Sequence, residues 1–261
     1  MNDRTAGNPR SNLEPMIRKL EYWEKLGTED REAVLALPHT IRMLEQNHYL
    51  VREHDIPHHT CVMLSGFAIR HKIVGSGHRQ IVAIHMRGDL VDLQNSMLRI
   101  ADHSVQMLTS GKVAMIPREG IVAIVAERPK IARAMWLDTL VDGSIFREWL
   151  ANVGRRDART RIAHLLCEFS LRLKVAGIGE QSNYDLPMTQ EQLADATGLT
   201  SVHVNRTIRS LEADGLIERT SARSITIGDW RNLAHTGDFD SGYLHLNESE
   251  PALDPERNPA L

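Results

Sequence analysis

Five side chains able to read a chemical edge lie within positions 201–209: Ser201, His203, Asn205, Arg206 and Arg209. Arginine offers a planar fork of N–H donors and asparagine a paired donor and acceptor, geometries that match guanine and adenine edges in a major groove. Val204, Ile208 and Leu211 recur among them at helical spacing, which puts the polar set on the opposite face of one helix. The chemistry of this pattern is hydrogen-bonded recognition, with no bond made or broken. A second cluster is imidazole. Of 13 histidines, His48, His54, His58, His59, His71, His78, His85 and His103 fall in one half of the chain. His54 and His58 stand four apart beside His59, which could hold a metal or a haem, but Pro57 breaks the helix that would align them. Their plainer reading is exposed or singly hydrogen-bonded strand residues. Cys61 and Cys167 lie far apart and make no disulfide framework, as expected of a reducing cytoplasm. Cys167, in Leu-Leu-Cys-Glu-Phe, reads as a core thiol or, alternatively, as an oxidation sensor.

The elements that must position the first set run from Met188 to Ile227. Thr189 and Gln192 form a capping-box pair at the start of a short helix, whose buried side is Leu193, Ala194 and Thr197. Gly198 makes the corner, Thr200 caps the second helix, and Asp214-Gly215 ends it. Leu216-Ile217 and Ile225–Ile227 then alternate as two small strands joined through residues 221–223. An αα-hairpin is the simpler alternative; the small–glycine–β-branched spacing of Ala194, Gly198 and Val204 favours a winged helix-turn-helix.

The run NVGRRDARTRIAHLLCEF followed by this segment resembles the C-terminal half of Crp/Fnr-type transcription regulators, and LSG at 64–66 and RGDLVDL at 87–93 resemble that family's β-roll signatures. The resemblance covers roughly residues 35–230 and implies an α+β fold: an N-terminal, jelly-roll-like, cyclic-nucleotide-binding-like roll, a long dimerisation helix and a C-terminal winged helix-turn-helix. The expected boundaries are 13–128 for the roll with flanking helices, 129–156 for the dimer helix, 157–235 for the DNA-binding domain and 236–261 for a disordered tail. It further implies a homodimer on a two-fold symmetric operator in double-stranded DNA, with RNA polymerase as a further partner. Ser201, His203 and Arg206 would approach bases, with Thr200 and Asn205 beside them. Arg209, Arg223 and Thr189 would approach phosphates. Val202 stands where relatives reading a TGTGA- or TTGAT-like half-site carry a cytosine-pairing glutamate, so the operator sequence differs or is read otherwise.

Composition sets outer bounds. The 261 residues suffice for two domains, and 42% hydrophobic with 25% charged residues is ordinary for a globular protein. A net charge of −3 argues against polybasic, non-specific nucleic-acid binding. No signal-peptide pattern or membrane-length apolar run is present, so a cytoplasmic protein without membrane contact is expected.

Along the chain, polar residues 1–12 read as a disordered lead, and Leu13–Leu37 as one or two helices. Short β-like runs follow at 48–51, 60–65, 66–73, 80–86, 105–108 and 113–116, broken by a short helical stretch over 94–103. The resemblance places a ligand at that break. Cyclic-AMP-binding relatives carry Gly-Glu-Leu there and an arginine before Ser or Ala; this chain reads Asp92-Leu93-Gln94 and His103-Ser104. The polar pair expected to close over the nucleotide aligns with Phe146 and Arg147. A neutral histidine beside an aspartate clamps phosphate poorly, so cyclic AMP is disfavoured and any effector pocket would comprise Asp92, His103, Ser104, Phe146 and Arg147. An iron–sulfur cluster is disfavoured as well, because it needs four cysteines. No cofactor is predicted. From Pro129 to Arg156, Ile131, Met135, Val141, Ile145 and Trp149 recur in a helix assigned to the dimer seam, with packing on its own roll as the alternative. Asn152–Arg159 reads as a hinge around Gly154, and Asp157 as the cap of a helix over 158–175. The competing function class is a metal-dependent cupin-like enzyme, or a metal or haem sensor, using the His-rich roll. No nucleophile–base pair or metal signature accompanies it, and the reading is that of a non-enzyme.

Overall fold

The computed structural model describes residues 12–221 and 223–246. Of the lead expected over 1–12 and the tail expected over 236–261, residues 1–11 and 247–261 lie outside them.

Two helices, α1 (Glu14–Glu21) and α2 (Thr28–Leu35), open the fold. Pro15 sits in the first turn of α1, where its missing N–H costs nothing. Met16, Ile17 and Leu20 bury one stripe of it, and Arg31 of α2 reaches back to Glu14 (2.9 Å) and Glu21 (2.5 Å). Eight strands then form the roll: β1 (Thr40–Leu44), β2 (Tyr49–Val51), β3 (His59–Met63), β4 (Ala68–Ile73), β5 (Arg79–His85), β6 (Leu90–Val91), β7 (Ser104–Met107) and β8 (Gly111–Pro117). They make two four-stranded antiparallel sheets, ordered β1-β8-β3-β6 and β2-β7-β4-β5. Cys61, Met63, Ala68, Val91, Val105, Met107 and Val113 fill the space between them. The β3–β4 turn crosses the β7–β8 turn so closely that a Cβ on Gly66 (φ +75°) would stand 2.7 Å from the Ser110 carbonyl oxygen, hence the glycine of LSG.

All six strands read from the sequence are present within about two residues. Strands β1 and β6 were not, because β1 has its side chains largely exposed and β6 is two residues long. The helical interruption contracts to a 3-10 turn, Leu93–Ser96.

The long helix is preceded by a separate one, α3 (Arg118–Glu127), and begins at Pro129 after Arg128 breaks the helical path. Helix α4 (Pro129–Arg155) spans about 40 Å at 1.5 Å per residue. Gly154 does not interrupt it: the expected hinge narrows to Arg156, whose backbone is extended. Asp157 accepts from Thr160 N (2.8 Å) and caps α5 (Ala158–Val175).

Then come β9 (Asn183–Asp185), α6 (Gln190–Thr197), α7 (Ser201–Ala213), β10 (Ile217–Glu218), β11 (Ser224–Ile227) and α8 (Trp230–Thr236). The wing is a three-stranded sheet, β10-β11-β9, since Asn183–Asp185 pairs with β11. The disordered tail expected from 236 is corrected over 236–246, and its remainder, 247–261, lies outside the described residues. After α8, residues 237–246 fold back on α5: the Gly237 carbonyl accepts from His164 Nδ1 (3.0 Å), Tyr243 Oη donates to Glu168 (2.7 Å) and Leu244 is buried in a 3-10 turn. These contacts join positions 73 and more apart in sequence, which periodicity cannot register.

The two halves touch directly. Arg172 of α5 donates to the Ile84 carbonyl (2.7 Å), and Gln80 donates to the Ala196 carbonyl of α6 (3.4 Å). No helix among the described residues is long and apolar enough to cross a membrane.

Candidate nucleic-acid interface

The helix-turn-helix is built by local hydrogen bonds. Thr189 Oγ1 accepts from Gln192 N (3.2 Å) and Gln192 Oε1 accepts from Thr189 N (2.8 Å), closing the capping box of α6. Gly198 turns the chain at φ +66°, where an added Cβ would also press on Val153 Cγ1 at 3.1 Å. Thr200 Oγ1 accepts from His203 N (3.2 Å) and starts α7. Val204, Thr207, Ile208 and Leu211 seat α7 on the core, while Arg159 clamps its end through Ser210 (2.7 Å) and Asp214 (2.6 Å). Arg161 ties the hinge to the end of α6, donating to the carbonyls of Arg156 (2.8 Å) and Thr197 (2.9 Å).

The opposite face of α7 is open. Ser201, Val202, Asn205, Arg206 and Arg209 line one groove with Gln190 of α6, and Val202 is 81% exposed. His203 is half-buried at its side. The guanidinium groups of Arg206, Arg209 and Arg223 make no salt bridge among the described residues, whereas Arg219 is spent on Glu212 (2.8 Å). Arg223 lies at the wing, beside the Ser221 hydroxyl that accepts from the 223 and 224 amides. Gln190 is the residue that the sequence reading left out; its position directly after the Thr189 cap is what marks it.

A groove-lining helix that carries Arg206 and Arg209, set in a capped helix-turn-helix beside a three-stranded wing, has counterparts in known proteins. Residues 160–236 match the Crp-like helix-turn-helix domain, and residues 41–128 match the cyclic nucleotide-binding domain. The transcriptional activator protein FnrL of Cereibacter sphaeroides is 28% identical over 186 residues, 70% of this chain and 74% of that protein. The nitrogen fixation regulation protein FixK of Azorhizobium caulinodans is 24% identical over 196 residues, 75% and 78% of the two chains. The structure of FixK2 from Bradyrhizobium japonicum superimposes with a TM-score of 0.71 at 22% identity, over 77% of this chain and 98% of that one.

The chain belongs to the Crp/Fnr family of transcription regulators.

In the roll's expected ligand region the buried side chains pair with one another. Asp92, in a left-handed conformation (φ +56°), accepts from His103 Nε2 (2.8 Å) and Arg70 Nη2 (3.1 Å), and Arg70 Nη1 donates to Asp142 of α4 (2.7 Å). Burial works against charge on Asp92, but the His103 hydrogen bond and Arg70 outweigh it and hold its pKa below the ordinary carboxylate value. Burial likewise opposes a charged His103, yet bonding to Asp92 and Asp102 raises its pKa, so the neutral imidazole expected from sequence is corrected to a charge-stabilised one. Asp92 and His103 thus come together as expected, with Ser104 next to them accepting from Glu53 N (3.0 Å). Phe146 and Arg147 do not join them. Both are exposed, and the α4 residue that reaches the roll is Asp142, one turn earlier.

A second correction concerns α4. Ile131, Met135, Ile145 and Trp149 are buried against the chain's own roll and α5, and Val141 is half-buried with them. Trp149 Nε1 donates to the buried Glu168 carboxylate (2.9 Å). The open face instead carries Trp136 (69% exposed), Leu140, Phe146 and Leu150 (65% exposed). Both faces have helical periodicity, and the sequence alone does not say which one the roll takes. Cys167 is fully buried, and burial pushes its thiol up to about 12, which disfavours the thiolate that an oxidation sensor uses. Among the described residues no three His, Cys, Asp or Glu side chains converge as a metal site requires.

Proposed function

We propose that this regulator works as a homodimer whose α7 helices enter successive major grooves of a two-fold symmetric operator. The observation that carries this reading is the open face of α7, where Arg206 and Arg209, neither in a salt bridge among the described residues, line one groove with Asn205 and Ser201. Arg206, His203 and Ser201 read bases, with Val202 in place of a charged group. Arg209, Arg223 and Thr189 hold phosphates. Two-fold pairing along α4 uses the face that carries the exposed Trp136, Leu140, Phe146 and Leu150. The roll, 13–128, then acts as scaffold or sensor on helix 129–156, and 157–246 as the reader. Its action is cytoplasmic, with RNA polymerase as the further partner.

Arg70 and Asp142 already bridge the roll to α4, where a cyclic nucleotide would need that space and an anion-binding centre. The roll is therefore read as independent of cyclic AMP. The test is selection of bound sequences from a random duplex pool by the purified chain without added effector. A two-fold symmetric motif with half-sites about one helical turn apart is expected. Enrichment of none, by folded protein, would overturn effector-free operator binding.

A further inference from the structure

A cavity of about 120 Å3 opens where α1, the β5–β6 turn, α4, the end of α5 and residues 244–246 meet. Its walls are mostly apolar, with Tyr22, Trp23, Val141, Ile145, Ala176 and Leu246 among them. Its charged groups are one-sided. Arg18, Lys19, Arg87 and Arg172 all line it, against the single carboxylate of Asp89. Lys19 and Arg172 already share that carboxylate, at 3.0 and 3.4 Å. Arg18, an exposed residue, and Arg87, half-buried, make no salt bridge or hydrogen bond among the described residues, so two guanidinium groups without a carboxylate partner border the apolar hollow.

Size limits the occupant. A dry cavity of about 150 Å3 takes up benzene, so the roughly 120 Å3 here suits a body no larger than a short alkyl chain or a single ring. Charge limits it further: an apolar body alone would leave both guanidinium groups unused, and an inorganic anion alone would leave the apolar walls wet. Arginine pairs with carboxylate through two parallel N–H donors. We propose that this cavity binds a small monocarboxylate, its short alkyl or single-ring body inside and its carboxylate on Arg18 and Arg87. Asp89, Lys19 and Arg172 border both this cavity and the narrow space around Arg70 and Asp142, and so form a partition between the two. Because α5 begins the DNA-binding half, an occupant braces that half against the roll; this consequence, unlike the binding itself, rests on the DNA-binding reading.

The test is calorimetric titration of the full chain with hexanoate at low salt, with no DNA present. One site per chain is expected, with hexanamide and hexanol at least about ten-fold weaker and inorganic phosphate silent. Replacing both partner-free cations, Arg18→Gln with Arg87→Gln, should weaken hexanoate about ten-fold or more and leave hexanol unchanged. Ala176→Phe, which fills the hollow, should remove both. Equal affinity for hexanoate and hexanamide, or hexanoate binding untouched by the double substitution, would overturn the proposal. So would binding that is absent in the full chain and appears only after truncation behind Leu246, since the cavity would then be taken by the chain's own acidic residues 247–261.

Discussion

Arg79, on the β4–β5 hairpin of the roll, closes on Asp195 of α6 with 2.7 Å between Nη2 and Oδ2. The first helix of the helix-turn-helix is thereby fixed to a strand that precedes it by 116 positions. Gln80 and Arg172 reinforce the same seam through backbone carbonyls of α6 and β5. The angle at which α7 is presented is set by the roll as well as by the hinge at Arg156.

Arg79→Ala should loosen this seam without unfolding the protein, since a partly exposed ion pair contributes only about 0.2–1 kcal/mol. Faster amide exchange in α6, with a nearly unchanged Tm, is the expected result. Unchanged exchange would mean that apolar packing alone holds the seam.

Arg206→Ala should cost about 1–3 kcal/mol on the selected operator and relax the preference at one base pair. Binding measured on the operator and on single-base variants checks this. A mutant that keeps the wild-type ratio between operator and scrambled duplex would remove Arg206 from base reading.

Arg223→Ala should weaken operator and scrambled DNA alike and lower the slope of log affinity against log salt by about 1. A slope equal to wild type would show that the wing arginine touches no phosphate.

Leu150→Glu places a charge on the open α4 face and should yield a folded monomer in sedimentation velocity, with stability within about 0.5 kcal/mol for an exposed site. Ile145→Glu, on the buried face, should unfold the chain instead. A Leu150→Glu protein that stays dimeric would relocate the seam.

His85 should make the roll acid-sensitive. Burial, aided by Arg70 and opposed by Asp142, Asp89 and Asp92, lowers its pKa from 6.5 to about 4, and its Nε2 has no hydrogen-bond partner. The unfolded chain then takes up the proton first, so the stability is present above pH 6.5 and is lost as pH falls towards 4. His85→Leu should recover about 2 kcal/mol at pH 4.5 relative to pH 7, read from urea midpoints. An identical loss on acidification in wild type and variant would shift the cause to His71, which burial also lowers to about 4.

The sequence was most legible where interactions are local. The capping box of Thr189 and Gln192, the glycine corner at 198 and the Asp157 cap each involve residues within four positions, so spacing reveals them. It was least legible where a pattern has two solutions or a contact is distant. The helical repeat of α4 offers Ile145 and Leu150 equally, and only the docked roll decides that Ile145 is inside. The pairing of Arg70 with Asp142 spans 72 positions, and Phe146 and Arg147 were preferred over Asp142 by counting alone. Strand β1 was hidden because its exposed side chains alternate weakly. The packing of 237–246 was hidden because its acidic, glycine-containing residues resemble a free end until Tyr243 finds Glu168.

That last packing also orders events at the ribosome. Glu168 is buried and takes hydrogen bonds from Trp149 in α4 and Tyr243, with Arg172 against it. Tyr243 is translated after the wing, so α5 has to wait, with a carboxylate short of one donor, while α6, α7 and the wing emerge. The roll has no such dependence for its inner core and can consolidate first, in the amino-to-carboxyl order usual for nascent domains. A messenger cut short anywhere between the wing and residue 243 would therefore direct synthesis of a chain with every DNA-facing residue in place and no sealed domain to carry them, a substrate for proteolysis in place of a weakened regulator.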